Sequence, residues 1–585
     1  MTSNTRSGSL VRQLLPYLRP QMPVILVLAG GLLLEACYEI AVRFSLKFIV
    51  DSAIVERDGG RLVTILVLLV AGALIYTALC LFTDWLWART GGRIINAIRH
   101  DLFVHMQYLP MGFYGRHRSG DLAARFSADA ALVEGGIVIA LPVGLLGLVE
   151  IVLTLIVMAQ INLTLCVLAT IGMFLCLISP KPVHRIAVGA GFGLRSLEGK
   201  LSGHVQENIA AQNVVKAYGL ERSAQKEFQR RLDELLKVLS RANFLSYIVQ
   251  RLPNLVFLML QLTGFAVGAW LAIEDQITVG DLVSYQALLL GLNTALYNIT
   301  WMFPSLIEAV AGYRRIREVL DEPASRTETD GATDLPPLAS AITFERVGFA
   351  HAGAAPVLPE LSITIPRGQY VAIVGHSGAG KSTIVGLLLR FIDAQHGRIL
   401  FDDIDIRSAS LASLRGQIGL VEQEAMLFEL SVRENILLGR PGASDADIVE
   451  AARAAGIHEF IAGLPDGYNT LCGESGGRFS GGERQRIALA RALVRKPAVL
   501  ILDEVSAALD ASTEARIAET IETLRGACTI IAVTHRLALA TRADRVVVLE
   551  EGRIIEDGSH DELLVAGGVY ARMCSDTGMN GAVAP

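Results

Sequence analysis

Six apolar stretches, each long enough to span a bilayer, fill the first half of this 585-residue chain. They lie at about 23–48, 62–87, 133–159, 163–180, 252–273 and 282–311. The composition agrees with a large membrane portion: 52% of residues are hydrophobic and 19% charged, with a mean hydropathy of +0.45. Soluble globular chains carry about 25% charged residues. A formal charge of −6 is modest for this length and gives no reason to expect nucleic acid. The seven cysteines are scattered and form no C-x-x-C pair, so neither a disulfide framework nor a zinc site is expected. The basic N-terminus, "MTSNTRSGSLVRQLLPYLRP", has no short apolar core with a small-residue cleavage site, so a removable signal peptide is not expected either.

Charges in the loops set the orientation. Arg89, Arg93, Arg99, Arg116, Arg118 and Arg125 separate the second and third stretches. The connection between the fourth and fifth is richer still, from Lys181 to Arg251, whereas "QIN" (160–162) and "EDQITVGD" (274–281) contain no Lys or Arg. Basic loops stay cytoplasmic, which places both termini in the cytoplasm. The two basic loops are not turn-like. "RIINAIRHDLFVHMQYL" and "KEFQRRLDELLKVLSRA" carry apolar residues at helical spacing, so helices are expected to run on beyond the bilayer, the alternative being independent helices lying on its surface.

At 321–340, "DEPASRTETDGATDLPPLAS", periodicity stops and a linker is expected. The expected division is a six-span membrane domain at 1–320, the linker at 321–340, an α/β domain at 341–575 and a short tail at 576–585. In "QYVAIVGHSGAGKSTIVGLLLRF" (369–391) an apolar strand leads into Gly375-x-x-x-x-Gly380-Lys381-Ser382 and then a helix, the context a P-loop requires. The backbone of Gly375, Ser377, Gly378, Ala379, Gly380 and Thr383 would cradle phosphates. Lys381 would neutralise the β- and γ-phosphates, and Ser382 would hold Mg²⁺.

"AVLILDEVSAALD" (498–510) reads as a buried strand that delivers Asp503 and Glu504 at its C-terminal end, where open α/β sheets bind ligands. Asp503 suits a Mg²⁺ shell, and Glu504 suits a general base that polarises water. Gln423 and His535 also follow apolar runs. A lone Gln or His in such a place is more often structural, but both fall where a strand would end beside the phosphates. A second anion-binding arrangement opens "FSGGERQRIALARAL" (479–493), where a Ser-Gly-Gly turn begins a helix.

Taken together, these motifs resemble the ATP-binding cassette (ABC) transporter family over nearly the whole chain, in the arrangement of an exporter-type half-transporter. Gly375–Thr383 looks like Walker A, Gln423 like the Q-loop residue, and 479–483 like the family signature. Asp503 and Glu504 look like the Walker B pair, Ala507–Asp510 like the D-loop, and His535 like the switch histidine. The resemblance implies ATP and Mg²⁺ as cofactors, with Ser382, Gln423 and Asp503 on the metal and Glu504 as hydrolytic base. His535 would contact the γ-phosphate. Ser480, Gly481, Gly482, Glu483 and Asp510 would complete the ATP site of a second half-transporter, with a homodimer favoured and a heterodimer left open. Segments 113–120 and 208–217 look like coupling helices, and Glu474 sits where exporters keep a residue that touches the inner loops. The chain departs from the family pattern at His351, where an adenine-stacking aromatic is usual, and at Phe479, Glu483 and Ala507, where Leu, Gln and Ser are common. Lys381, Glu504 and His535 are intact, so a competent ATPase is expected.

The first span carries Glu35, Glu39 and Arg43 at i, i+4 spacing on one helix face. With Glu150, Gln261, Asn293, Asn298 and Glu308, these are candidates for a polar substrate pathway, or equally for structural pairing between helices. The expected fold is a polytopic helical membrane domain of six spans with long cytoplasmic extensions, followed by an α/β P-loop nucleotide-binding domain. The expected function is ATP-driven export or flipping of a lipid, amphipathic drug, peptide or glycan across a bacterial cytoplasmic membrane, by alternating access. Partners would be a second copy, membrane lipids and the transported substrate. An ATP-gated channel or regulator on the same fold, and an importer using it, are the alternatives.

Overall fold

The computed structural model describes residues 15–323, 332–351, 353, 355–505, 511–535 and 537–576, with only the backbone of 511–516. The chain forms two compact units. One comprises Met1–Val104 and Gly120–Asp321, the other His105–Ser119 and Glu322–Pro585.

The first unit is helical. Its elements are α1 (Met22–Phe48), α2 (Gly59–Gln107, whose last residues belong to the second unit), α4 (Leu141–Ile161), α5 (Leu163–Ile178), α6 (Lys181–Ala210), α7 (Gln212–Ala217), α8 (Glu221–Ile273) and α9 (Val279–Leu320). The short α3 (Met111–Arg116) lies in the second unit. At 49 and 53 residues, α2 and α8 reach about 75–80 Å, far more than the ~30 Å of a hydrocarbon core. Each apolar run and the charged amphipathic run beside it, after it in α2 and before it in α8, thus form a single continuous helix.

Among the described residues, five helices are long and apolar enough to cross a membrane: Leu15–Val55, Gly59–Gln107, Ser119–Ile161, Leu163–Ala210 and Glu221–Ile273. The sixth expected stretch forms α9, which falls outside that set because polar residues interrupt it. Its position explains the tolerance for them. Tyr285, Leu288, Leu289, Leu292 and Ala295 are buried against neighbouring helices, so much of α9 is shielded by protein. The helices approach closely through glycines. A Cβ on Gly147 of α4 would lie 2.7 Å from the Ala295 carbonyl oxygen of α9, so only glycine permits that crossing.

Ion pairs pin α9 at both ends. Near its start, Asp51 accepts from the Gly280 N–H at 2.9 Å and Lys47 pairs with Asp281 at 2.8 Å. Thr278 and Asp281 form a reciprocal N-terminal cap beneath them. Near its end, buried Asp129 accepts from Arg125 at 2.9 Å and from Arg315 of α9 at 2.8 Å.

The second unit contains two sheets. A four-stranded antiparallel sheet runs in the order β2 (Pro356–Pro366), β1 (Ala341–Ala350), β4 (His396–Phe401), β5 (Ile404–Asp405). A six-stranded sheet runs β10 (Arg553–Gly558), β9 (Arg545–Glu550), β3 (Tyr370–Val374), β8 (Thr529–Thr534), β7 (Val499–Asp503), β6 (Ile418–Val421). Strands β9, β3, β8, β7 and β6 are parallel, and β10 is antiparallel. Side chains alternate across β3, as strand geometry demands. Val371 and Ile373 join the core beneath the antiparallel sheet, while Tyr370, Ala372 and Val374 face the core built on Ile487 and Leu489.

The segment expected to be a linker falls partly at 324–331, outside the described residues. Its later part is fastened to the second unit: Thr333 N–H donates to the Ser408 carbonyl at 3.1 Å, and Leu338 N–H to Gln417 Oε1 at 2.9 Å.

Replacing Asp129 with Ala leaves the Arg125 and Arg315 guanidiniums without their shared acceptor. The expected cost is about 1.5–3 kcal/mol, seen as a thermal midpoint several degrees lower in detergent-solubilised protein, with Asp129→Asn intermediate.

Candidate functional site

The order β3-β8-β7-β6 is what builds the site. All four strands are parallel, so their C-terminal ends share one edge of the sheet, and adjacent strands lie about 4.8 Å apart. The 375–380 loop follows β3, His535 follows β8, Asp503 and Glu504 end β7, and Gln423 follows β6. Residues distant in sequence thus become lateral neighbours.

The loop turns into helix α10 (Lys381–Leu388) through Gly380, whose φ of +99° lies in the left-handed region. A Cβ there would also meet Leu358 of β2 at 2.9 Å. Lys381 is buried, and its ammonium donates to the carbonyls of Gly375 at 2.8 Å and His376 at 3.0 Å. Burial pushes its pKa down, and the charges of Glu504 and Asp503 offset only part of this. Ser377 and Gly378 are exposed, Ala379 is buried, and the Ser382 hydroxyl is exposed at the start of α10.

Glu504 N–H donates to the Val533 carbonyl at 2.8 Å, which extends the β7–β8 pairing by one residue. Its backbone then turns into the left-handed region, φ +49°, a conformation that costs a non-glycine residue about 1 kcal/mol or more. The turn sets its carboxylate 3.2 Å from His535 Nδ1. Next to it, Asp503 has its carboxyl pKa pushed up by burial and by the charges of Glu504 and Glu422. A half-buried carboxylate crowded by other carboxylates, with an exposed serine hydroxyl at the neighbouring helix start, is an oxygen donor set that fits a hard divalent cation such as Mg²⁺.

Gln423 lies just beyond β6, and its carbonyl accepts from Gln485 at 3.2 Å. Gln485 belongs to α11 (Gly481–Leu493), the helix opened by the Ser-Gly-Gly turn. Arg491 of α11 donates to the carbonyls of Met426 at 3.0 Å and Asn435 at 3.1 Å. The segment after Gln423 is thereby strapped to α11 at two places. Gln485 and Arg491 had no part in the sequence argument. Their signal was polar side chains set among the apolar residues of a helix's inner face, where Arg486 is buried as well.

Ser480 is exposed, and Gly481, Gly482 and Glu483 are half-buried. Among the described residues, no hydrogen bond or ion pair links 480–483 to 375–383, so one chain does not bring its two anion-binding turns together. His351 stands exposed just after β1, edge-on to Phe349 with ring centroids 5.1 Å apart. Asp510 and Ala507 lie outside the described residues. Glu474 is exposed beside Gly473 and Ser475, both with positive φ.

Of the two segments likened to coupling helices, α3 lies within the second unit with Phe113 buried. Arg116 pairs with Glu322 at 2.8 Å, and His105 meets the Glu322 carbonyl at 2.9 Å. Tyr108, Met111 and Tyr114 line a cavity of about 730 Å³ with Arg390, Phe391, Leu411 and Arg415. The other segment ends in α7 of the first unit, which exposes Val214 and is followed by exposed Tyr218.

In the first unit, Glu35 is buried and accepts from Thr83 at 2.5 Å. Tyr76 donates to Glu39 at 2.9 Å, Arg43 pairs with Glu39, and Arg43 lies 3.7 Å from buried Glu150. The guanidinium lies over Gly291 of α9, where a Cβ would be 2.5 Å from it. Asn293 and Asn298 are half-buried on the same helix, Gln261 accepts from Gln286 through its carbonyl, and Glu308 pairs with Arg195 at 3.0 Å.

Comparison with known proteins bears on both units. Residues 25–296 match the family model of the ABC transporter transmembrane region, and 358–507 match that of the ABC transporter. The chain is 32% identical to an ATP-dependent lipid A-core flippase of Syntrophus aciditrophicus, over 96% of this chain and 93% of that one. It is 34% identical to a fatty acid ABC transporter ATP-binding/permease protein of Mycobacterium tuberculosis, over 90% and 82% respectively. A solved structure of a bacterial Atm1-family ABC exporter with ATP bound superposes with a TM-score of 0.82 at 27% identity, covering 97% of this chain and 99% of that one.

Gly380→Ala is expected to cost about 1–3 kcal/mol in backbone strain and to push Leu358 aside. A thermal scan should show the loss, and a fluorescent nucleotide analogue should bind more weakly.

Proposed function

Because the chain belongs to the ABC transporter family, with a membrane region and an ATPase domain fused as in an exporter-type half-transporter, we propose that it works as a homodimer that moves an amphipathic lipid across the bacterial inner membrane. ATP hydrolysis coupled to transport is the activity of the family. The observation that supports the ATPase assignment is the single sheet edge on which the 375–380 loop, His535, Asp503, Glu504 and Gln423 are gathered.

At that edge, the loop amides and Lys381 bind the phosphates of ATP. Ser382, Asp503 and Gln423 are the residues that would hold Mg²⁺, which supplies charge neutralisation to the phosphates. Glu504 takes the role of general base toward an attacking water, and His535 holds its carboxylate in position while it reaches the γ-phosphate. His351 lies against the adenine. Ser480, Gly481, Gly482, Glu483 and Asp510 of a second copy close the site, which accounts for two anion-binding turns that one chain keeps apart. The Gln423 segment, strapped to α11 by Gln485 and Arg491, passes the nucleotide state to the membrane helices through 113–120 and 208–217.

In the membrane, α9 is the sixth span, both termini face the cytoplasm, and Glu35, Glu39, Arg43, Glu150, Asn293 and Asn298 form the polar substrate pathway. Within that set, buried Glu35 and Glu150 hold their neighbours from behind, and half-exposed Glu39 faces the cargo. The lipid class is favoured because relatives at 32–34% identity carry the names of a lipid A-core flippase and a fatty acid transporter.

Two measurements test these assignments. Glu504→Gln should keep ATP binding and lose hydrolysis by about a hundredfold or more; retained turnover removes Glu504 as the base. Wild-type protein in nanodiscs should show ATPase stimulation by amphipathic lipids over soluble peptides and glycans. Stimulation by the soluble compounds alone overturns the lipid assignment.

A further inference from the structure

Glu483 is the third residue of α11, and its side chain turns back on the helix's own N-terminus. Its carboxylate accepts from the Ser480 backbone N–H at 2.8 Å, while the Ser480 hydroxyl accepts from the Glu483 N–H at 3.4 Å. Reciprocal caps of this kind are an ordinary way for Ser-x-x-Glu or Ser-x-x-Gln to satisfy the first amides of a helix. Elsewhere in the second unit the same device appears at Ser431–Glu434, Ser444–Asp447 and Ser559–Glu562.

At Ser480 the circumstances differ. Among the described residues, no hydrogen bond or ion pair joins Glu483 to a cation; nearby, Arg478 donates to the Leu471 carbonyl, Arg484 to that of Phe479, and Arg486 to those of Gly482 and Gly456. The carboxylate is compensated only by the helix end itself, whose partial positive charge it occupies. On the dimer reading above, on which this inference rests, the same helix end must receive the γ-phosphate bound by the other copy.

We propose that Glu483 is a resident anion that competes with the γ-phosphate for the Ser480 end of α11, and so raises the ATP concentration at which the two nucleotide domains close. The Glu483 carboxylate already sits at the positive end of α11, and a carboxylate held there repels a phosphate brought to the same end. Glutamine makes the same cap without the charge, so the Glu at this position separates capping from electrostatics. Glu483 is part of the face that closes the site, and its charge acts through the helix terminus it caps, so its role is that of a positioning residue.

The test uses full-length protein in nanodiscs carrying Glu504→Gln, so that ATP is bound and not consumed. Closure is read by a distance probe between the two nucleotide domains as Mg-ATP is titrated, at about 20 mM and about 300 mM salt. Adding Glu483→Gln should lower the half-saturating ATP by about two- to fivefold at low salt. The difference should shrink at high salt, and the thermal midpoint should be unchanged. Glu483→Ala should keep the gain in ATP response while lowering the thermal midpoint, because it removes cap and charge together. An unchanged or higher half-saturating ATP in the Gln variant overturns the proposal, and so does a gain that ignores salt. Failure of ATP to close the Glu504→Gln protein itself is a separate result, which overturns the dimer reading and not merely the role of Glu483.

Discussion

The parallel pairing of β8 between β3 and β7 is the constraint on which the nucleotide-binding half depends. Chain order would place β6 and β7 next to β3. Instead, a strand from late in the sequence is inserted, and its end carries His535. Glu504 and His535 are neighbours only because β7 and β8 are, and the Glu504 N–H bond to Val533 fixes the register that brings them to 3.2 Å. The left-handed turn at Glu504 is a modest strain, and the flanking strands over-determine it.

The membrane half solves a different problem with a similar economy of contacts. Its helices are far longer than a bilayer needs, and α9 carries enough polar residues to be a poor membrane helix by composition. Asp51 and Lys47 secure it near one end, Asp129 secures it near the other, and Arg43 lies across its middle at Gly291. The Asp51, Lys47 and Asp129 contacts each pair a charge with a charge or a backbone amide, since a buried polar group left unpaired is costly. Glu39 and Glu150 bracket the Arg43 guanidinium. Glu39, Arg43 and Glu150 thus join with Tyr76 in one network across α1, α2 and α4, while Glu35 bonds separately to Thr83 of α2.

Much was legible beforehand because periodicity and motif chemistry are local. Apolar runs marked the helices, and strand-loop-helix context marked Lys381 and its loop. The continuation of α2 and α8 beyond the bilayer followed from amphipathic spacing in "RIINAIRHDLFVHMQYL" and "KEFQRRLDELLKVLSRA". What was not legible was relational. Strand order is a non-local property, so the contact of Glu504 with His535 had no signal in the sequence, where resemblance set His535 only against the γ-phosphate. Gln485 and Arg491 looked like ordinary residues of a helix, because their acceptors at Gln423, Met426 and Asn435 lie more than fifty positions upstream. The grouping of 105–119 with the second unit was also hidden, since no composition break marks it.

The insertion of β8 also bears on how the chain comes into being. Strand β3 is fully buried and apolar, yet both of its neighbours, β8 and β9, are translated long after it. Until Thr529–Glu550 has left the ribosome, Tyr370–Val374 is an unpaired strand with two open edges, the kind of segment that recruits other chains. The most recognisable motif in the sequence is therefore among the last to acquire a settled shape. A product that stops short of Thr529 would be a nucleus for aggregation and not a weaker version of the enzyme.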